Sequence, residues 1–291
     1  QLISRGGGIF ARSDKSIKIS PEMKERFDIS VDTLTPDALI NAILKSPVDL
    51  IWNGGIGTYV RASHESNSDV GDKSNDGLRV TARDLRCKVI GEGGNLGLTQ
   101  AARVEFGLKG GISVTDFVDN SAGVDCSDHE VNIKILLNEL MAHSQLTLKR
   151  RNSLLESMTD DVADLVLDNN YSQVQAIGIA QTQVGERHRE YVDLIGFLES
   201  SAGLDRDLEF IPHDDRLEER SAKGQYLTRP ELAVLTSYMK MYLKARLSKV
   251  DYLDDEYLTP YLHAAFPEKI VRNYKAEAEG IGQEELIKQL F

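Results

Sequence analysis

Apolar and polar positions alternate along the first part of the chain in a way that predicts strands and helices in turn. Short apolar runs predict buried strands over residues 48–52, 87–91 and 112–114. Helical spacing of apolar residues predicts a helix that begins near Pro36 and another over 98–108. Such alternation up to about residue 124 is typical of a parallel α/β sheet.

Residues that cap helices or form turns indicate where these helices begin and end. Thr35 fits the N-cap of the first helix, Pro36 fits its first position, and Pro47 ends it. Residues 1–35 are otherwise predicted as loop and turn, and 63–77 as a loop or short helix. For the helix over 98–108, either Asn95 or Thr99 is the candidate cap.

From Ser127 onward the pattern is helical almost throughout. The predicted helices carry two apolar faces, one made of Val131, Ile135, Leu136 and Leu140, the other of Leu232, Leu235, Met239, Tyr242 and Leu243. Thr228 and Glu231 form a capping box before the second face. The strongly charged stretch 203–224 is predicted to be a surface excursion. A terminal helix over 284–291 stops without a capping residue, which suggests truncation.

The predicted fold class is therefore α/β followed by all-α. Residues 1–150 are expected to form the C-terminal half of a dinucleotide-binding domain, with an incomplete Rossmann-like parallel sheet. Residues 151–291 are expected to form a helical domain that is itself truncated. A length of 291 residues is sufficient for two cores of this size.

Composition excludes some classes of partner. The chain carries 34 basic and 46 acidic residues, a formal net charge of −12, which argues against a nucleic-acid partner. No apolar run of about 18 residues predicts a membrane-spanning helix. Cys87 and Cys126 form no Cys-x-x-Cys pair, so a reducing compartment, the cytoplasm, is expected. The N-terminus lacks an initiator Met and a signal core, which suggests an excised piece.

Two glycine-bearing turns follow predicted strands directly. Trp52-Asn53-Gly54-Gly55-Ile56-Gly57 follows the first strand, and Glu92-Gly93-Gly94-Asn95-Leu96-Gly97 follows the second. Glycine lets a backbone approach a ligand closely, and the carboxyl ends of parallel strands face the ligand crevice. Each turn could equally be a tight connection that needs glycine for backbone reasons alone. Asn95 offers hydrogen bonds to a ribose or a carboxamide.

A third candidate segment surrounds Asn120. The small residues of Asn120-Ser121-Ala122-Gly123-Val124 leave room for a flat ring beside one carboxamide, although a local Asx turn explains the same pattern. Ser127 and Glu130 have capping-box spacing, and the Ser127 hydroxyl would suit a substrate carboxylate.

Several other sites are not predicted. The glycines do not have Gly-x-Gly-x-x-Gly spacing, so no pyrophosphate site is assigned. Asp125, Cys126, Asp128 and His129 match no zinc signature, and no metal is expected. The stretch from Asp72 resembles a calcium loop at first, but Arg83 stands where a bidentate Glu is required.

These motifs resemble the glutamate dehydrogenases, in particular the large NAD-specific bacterial branch. The smaller enzymes carry Asp-Ile-Leu-Ile-Pro-Ala-Ala, Glu-Gly-Ala-Asn, and Asn-Ala-Gly-Gly-Val followed by Ser-Tyr-Phe-Glu. This chain has four corresponding segments in the same order: Asp49-Leu50-Ile51-Trp52-Asn53-Gly54-Gly55, Glu92-Gly93-Gly94-Asn95, Asn120-Ser121-Ala122-Gly123-Val124 and Ser127-Asp128-His129-Glu130. Asn-Gly-Gly replaces Pro-Ala-Ala, and Asp-His replaces Tyr-Phe. Phrases of the large branch, Trp-Asn-Gly-Gly-Ile-Gly-Thr-Tyr and Glu-Gly-Gly-Asn-Leu-Gly-Leu-Thr-Gln, appear nearly verbatim, and Thr228-Arg229-Pro230-Glu231-Leu232-Ala233-Val234-Leu235 also resembles it.

The resemblance implies NAD-dependent oxidative deamination of L-glutamate to 2-oxoglutarate and ammonia. NAD would be contacted by the side chains of Asn95 and Asn120 and by backbone of the two turns (Asn53, Gly54, Gly55 and Gly93). Ser127 would help to hold the side-chain carboxylate of glutamate.

The family's catalytic lysine and aspartate, and its Gly-x-Gly-x-x-Gly turn, lie upstream, and this sequence contains none of them. The resemblance therefore implies a C-terminal fragment that supplies the nicotinamide side of the cleft and is inactive alone. Its partners would be the upstream domains and, at full length, further copies in a homo-oligomer. The alternative from the residues is a non-catalytic binding or regulatory module with a degenerate α/β nucleotide pocket.

Overall fold

The computed structural model describes residues 3–249 and 256–280 of the chain. Within these ranges short strands and helices alternate first, and helices follow. The strands are β1 (Ile17–Lys18), β2 (Thr33–Leu34), β3 (Leu50–Asn53), β4 (Val60–Arg61), β5 (Val80–Thr81) and β6 (Val89–Glu92). The helices are α1 (Pro21–Phe27), α2 (Pro36–Leu44), α3 (Asn67–Val70), α4 (Gln100–Leu108), α5 (Asp116–Asp119), α6 (Asp125–Ala142), α7 (Leu148–Ser157), α8 (Thr159–Gln183), α9 (His188–Ala202), α10 (Arg206–Glu209), α11 (Asp214–Ala222), α12 (Arg229–Leu247), α13 (Thr259–Ala264) and α14 (Glu268–Gly280).

The parallel pairing predicted from the apolar runs is confirmed. β3 and β6 lie parallel with Leu50 opposite Val89 and Asn53 opposite Glu92. β4 and β5 form a second parallel pair. The predicted third strand over 112–114 is reduced to one parallel bridge between Val89 and Ile112. The α/β class followed by helices therefore agrees with the structure, whose parallel sheets are small.

The predicted starts of the two flanking helices are also confirmed. The Thr35 hydroxyl accepts the Ala38 N–H, and Pro36 is the first residue of α2. The Thr99 hydroxyl accepts the Ala102 N–H at 3.1 Å and caps α4. The expectation that Asn95 caps this helix is wrong, because the chain still has to cross Leu96–Leu98 before the helix begins.

Two predicted loops contain regular structure. Residues 1–35 hold β1, α1 and β2, with the Ser20 hydroxyl capping α1 and the two strands pairing antiparallel. Residues 63–77 hold α3 and a 3₁₀ turn over Lys73–Asn75, which agrees with the prediction of a loop or short helix. The missed strands are only two residues long, too short to show an alternating pattern.

The chain divides into two compact units. The first comprises residues 1–119 and 207–233, and the second comprises 120–206 and 234–291. The expected domains, 1–150 and 151–291, have other bounds, and that division stays a prediction. In the first unit a core beneath the parallel strands includes Val60, Leu85, Ile90, Leu98 and Phe106.

The core of the second unit corrects the predicted face of α6. The buried residues of that helix include Ile133, Leu136, Leu137 and Leu140, which pack against Phe266 and Ile270 among others. Val131 is instead 45 % exposed, so the apolar face begins a half-turn later than predicted.

The stretch 203–224 was predicted to be a surface excursion, and this is wrong in part. It contains α10 and α11, and Arg206, Ile211 and Leu217 are buried. One bond of the predicted capping box before α12 is present, since the Thr228 N–H donates to Glu231 Oε2 at 2.6 Å, and the Thr228 hydroxyl donates to the same oxygen at 2.7 Å. The predicted terminal helix over 284–291 lies outside the described residues. Within the described part, no helix combines the length and apolar character needed to cross a membrane.

Candidate functional site

The carboxyl ends of β3 and β6 bring the two glycine turns into contact. Asn53 and Glu92 are register partners, so Gly54 and Gly93 leave the sheet at the same edge. The Gly94 N–H donates to the Asn53 carbonyl at 3.1 Å. A Cβ on Gly94 would lie 2.8 Å from the Gly55 carbonyl oxygen, so no larger residue fits there. Four predicted coenzyme residues, Asn53, Gly54, Gly55 and Gly93, are therefore neighbours.

The glycines of this edge have different surroundings. No atom lies within 4 Å of a Cβ built on Gly55, and only Trp52 approaches one on Gly54, at 3.9 Å. A ligand can therefore approach the backbone of that turn closely. Gly91 and Gly93 instead lie under the Trp52 indole, at 2.6 and 2.7 Å from their Cβ positions. Trp52 itself is 61 % exposed.

The Asn53 side chain packs beneath the second turn. A Cβ on Gly97 would overlap Asn53 Nδ2, so a side chain at position 97 would displace the Asn53 carboxamide. Asn53 also lines a cavity of about 300 Å³ between α2 and β3, whose walls include Ile43, Leu44 and Leu98. Its Nδ2 is buried and makes no hydrogen bond. The turn thus offers its backbone at the edge, while the Asn53 carboxamide faces the apolar side of the sheet.

The second turn carries backbone strain next to Asn95. Leu96 has φ of 61°, a left-handed conformation that non-glycine residues rarely adopt. Its N–H donates to Asp116 Oδ2 at 2.8 Å. Asn95 is exposed beside it, in a position where its side chain is accessible to a ligand.

A buried group of charges lies behind the same turn. Glu92 is fully buried and pairs with Arg103 through two contacts, Nε to Oε2 at 2.6 Å and Nη2 to Oε1 at 2.9 Å. Glu92 Oε1 also accepts the Leu98 N–H at 3.0 Å. Arg103 Nη2 lies 3.4 Å from Asp116 Oδ1, so one guanidinium serves two carboxylates.

Asp119 belongs to this group of charges, and its pKa is raised above the ordinary value of an aspartate. Its Oδ2 accepts the Glu92 N–H at 3.0 Å. Burial, together with the Glu92 and Asp116 carboxylates, raises the pKa of Asp119 to about 6, although the hydrogen bond from the Glu92 N–H and the charge of Arg103 act in the opposite direction. Strongly shifted pKa values are concentrated at functional sites.

Asn120 and Ser127 lie in the second unit. Asn120 Oδ1 accepts the Gly123 N–H at 3.1 Å, so the local turn that was the alternative to ligand binding is present. The predicted Ser127–Glu130 capping box is wrong: α6 begins at Asp125, and Ser127 lies inside its first turn with its hydroxyl donating to the Gly123 carbonyl. Glu130 pairs with Lys134 instead. The ligand roles of Asn120 and Ser127 stay predictions.

The residues near Ser127 form a hydrogen-bonded cluster. His129 is buried, with Nδ1 3.2 Å from the Ala265 carbonyl and Nε2 3.2 Å from Asn169 Nδ2. The same Asn169 nitrogen donates to Asp125 at 3.0 Å. These contacts hold the imidazole between α8 and the Ala265 carbonyl. No group of three or more His, Cys, Asp and Glu side chains suited to a metal was found in the part of the chain that the structure describes.

Sequence reasoning missed the charged residues behind the turn. Arg103 and Asp119 stand 11 and 27 positions from Glu92, and no motif of fixed spacing connects them. The available signal was Arg103 itself, which occupies the apolar side of a short helix where a lone cation needs a buried partner.

Comparison with known proteins supports one family. The family model described as bacterial NAD-glutamate dehydrogenase, catalytic domain, matches residues 1–180, and a glutamate dehydrogenase C-terminal model matches 224–280. Curated relatives are the NAD-specific glutamate dehydrogenases of Pseudomonas aeruginosa, 60 % identical over 94 % of the chain, and Halomonas elongata, 50 % identical over 95 %. That of Mycobacterium tuberculosis is 44 % identical over 95 %.

The chain spans 17 % of the length of each of these three relatives. The match nevertheless covers the two glycine turns, the buried charges behind them and most of the second unit. The chain therefore belongs to the bacterial NAD-glutamate dehydrogenase family.

Proposed function

We propose that this chain is part of an NAD-dependent glutamate dehydrogenase, in which it supplies the nicotinamide side of the coenzyme cleft. The full enzyme would convert L-glutamate to 2-oxoglutarate and ammonia with NAD as the oxidant. The observation that carries the proposal is the edge of the β3–β6 pair, where two glycine turns meet in a chain whose relatives are NAD-specific glutamate dehydrogenases.

The edge is suited to a dinucleotide. The open space over Gly54 and Gly55 leaves their peptide groups accessible to a ligand, and Asn95 is exposed in the other glycine turn. We infer that β3 and β6 are strands of the second half of a Rossmann-like sheet, since coenzymes bind at the carboxyl ends of such strands. The first half, with its phosphate-binding turn, would come from another part of the polypeptide.

The roles proposed for individual residues rest on the resemblance of these motifs to those of the glutamate dehydrogenases. NAD, when bound, supplies the hydride acceptor. The backbone of Asn53, Gly54, Gly55 and Gly93 would line its ribose and ring, and the Asn95 and Asn120 carboxamides would fix its orientation by hydrogen bonds. Ser127 would help to hold the glutamate side-chain carboxylate. Hydride transfer requires the nicotinamide ring and the glutamate α-carbon to be in contact. The residues above would contribute by positioning the coenzyme and the substrate.

The charges at this edge favour binding of the nicotinamide half of NAD over binding of its pyrophosphate. Glu92, Asp116 and Asp119 interact with Arg103, and Asp119 also interacts with Arg229, so three carboxyls face two cations and the local charge is negative when all three are ionised. A pyrophosphate would be repelled there, whereas the oxidised nicotinamide ring carries a positive charge.

Fluorescence of Trp52 tests the proposal, because it is the chain's single tryptophan and covers Gly93 at the proposed cleft. NADH would be titrated against this chain and against a version extended at its N-terminus by the natural upstream sequence. Quenching in the extended version supports the proposal. Quenching in both would show that the turns bind coenzyme without the phosphate-binding half, and quenching in neither would contradict it.

A further inference from the structure

Two aspartates of one short helix hold the ends of the second glycine turn. Asp119 accepts the N–H of Glu92, the last residue of β6, at 3.0 Å. Asp116 accepts the N–H of Leu96 at 2.8 Å. Between these anchors lie Gly93, Gly94 and Asn95, two of which are proposed coenzyme contacts. The turn is therefore bonded at both ends to side chains of α5.

The anchored turn is one that needs support. Leu96 is left-handed, and a strained backbone persists only where its surroundings hold it. Gly94 fits against Gly55 without space for a side chain. The Leu96 N–H would be free to turn away if Asp116 did not accept it. Strain of this kind is concentrated at ligand-binding turns.

Charged groups from three neighbouring elements act on the two anchors. Arg103 pairs with Glu92 and lies 3.4 Å from Asp116. Asp119 interacts with Arg103 on α4 and Arg229 on α12, and it is opposed by Glu92 on β6 and Asp116 on its own helix. A change at either aspartate would thus alter the turn directly, through the lost acceptor.

We propose that Asp116 and Asp119 are positioning residues of the coenzyme turn, fixing the Gly93 backbone and the Asn95 side chain where they meet the nicotinamide half of NAD. This inference rests on the proposed function. Neither aspartate is assigned contact with the coenzyme. Each acts through the turn that it anchors.

The matched substitutions are alanine and asparagine at each position. Asp119→Ala and Asp116→Ala remove the acceptor, whereas Asp119→Asn and Asp116→Asn keep a carbonyl oxygen of the same reach and remove only the charge. Amide hydrogen exchange on this chain gives the first readout. We expect Asp119→Ala to speed exchange of the Glu92 amide, and Asp116→Ala that of the Leu96 amide, each by about tenfold or more. Unchanged exchange at both amides would overturn the proposal.

Steady-state kinetics of the full-length polypeptide give the second readout. We expect the alanine variants to raise KM for NAD by about tenfold, the equivalent of one lost hydrogen bond, with KM for glutamate unchanged. The asparagine variants should stay within about twofold of the wild type. A merely structural role would lower the amount of folded enzyme without this split between the two KM values.

The outcomes separate this proposal from the function on which it rests. An active wild type whose alanine variants keep their KM for NAD overturns the positioning role alone. Asparagine variants as impaired as the alanine variants also overturn it, because charge rather than the acceptor would then matter. A wild type that does not oxidise glutamate with NAD overturns both.

Discussion

Glu92 and Arg103 form a buried ion pair with two parallel contacts of 2.6 and 2.9 Å. Glu92 is the last residue of β6 and Arg103 lies on α4, so the pair joins the strand before the glycine turn to the helix after it. The Leu98 N–H also donates to Glu92. The Glu92 carboxylate therefore bonds both the end of the glycine turn and the helix that follows it.

Removal of one member of this pair should be costly. Arg103→Met would leave Glu92 buried without its cation, which costs about 3–5 kcal/mol of unfolding free energy. The double variant Glu92→Gln/Arg103→Met keeps an acceptor for the Leu98 N–H and removes both charges, so it should be clearly more stable than Arg103→Met. Urea denaturation of the chain measures both values. A double variant no more stable than the single one would contradict this.

Trp52 should report on the glycines beneath it. A Cβ at position 91 would lie 2.6 Å from the indole, so Gly91→Ala should displace the ring and shift its fluorescence emission. Gly55→Ala is the control, because nothing lies within 4 Å of its Cβ position. Its emission should match the wild type, while the added methyl group narrows the approach of NADH and weakens its binding. An unchanged spectrum for Gly91→Ala would show that the indole does not lie on this glycine.

Local patterns predicted much of the first unit. Thr35, Pro36 and Pro47 bounded α2 because capping and proline geometry depend on neighbouring residues only. The strands before both turns were found because each is an apolar run. The fold of residues 17–34 was missed because its strands gain their order from pairing with each other.

The candidate site was predicted only in part, for a similar reason. The glycine turns are contiguous in sequence, and Asn53, Gly54, Gly55 and Gly93 are neighbours as the parallel pairing requires. The anchors Asp116 and Asp119 depend on how α5 packs behind β6, which no spacing rule specifies. Ser127 was misplaced at a helix start because its spacing to Glu130 fits a capping box, whereas α6 begins two residues earlier.

The cap of α4 offers a direct contrast between two sequence alternatives. Thr99 accepts the Ala102 N–H and also donates to Glu65 at 2.6 Å, so Thr99→Ala should lower stability by about 1–2 kcal/mol. Thr99→Ser, which retains the hydroxyl, should lose much less. Asn95→Ala should lower stability less than Thr99→Ala does, because Asn95 lies before Leu96 and outside the capped turn. Thermal unfolding of the three variants compares these losses. Equal losses for Thr99→Ala and Asn95→Ala would contradict the assignment of the cap.

The raised pKa of Asp119 predicts a pH-dependent stability. With a pKa of about 6 in the folded state and 3.8 as its ordinary value, Asp119 favours folding when it is protonated. This contribution is complete below about pH 4 and is lost as the pH rises through about 6. Asp119→Asn should therefore raise the melting temperature at pH 8, and the gain should shrink toward pH 4.

Asp72 supplies the control of opposite sign. Hydrogen bonds from Asn75, the Thr58 N–H and Ser74 lower the pKa of Asp72 to about 2, so its charge stabilises the fold above about pH 4 and this is lost as the pH falls toward 2. Asp72→Asn should lower the melting temperature at pH 8, where Asp119→Asn raises it. The comparison uses the difference between each variant and the wild type at every pH, so that other titrating groups cancel. A loss of stability for Asp119→Asn at pH 8 would mean that the charged carboxylate holds the Glu92 N–H more strongly than burial opposes it.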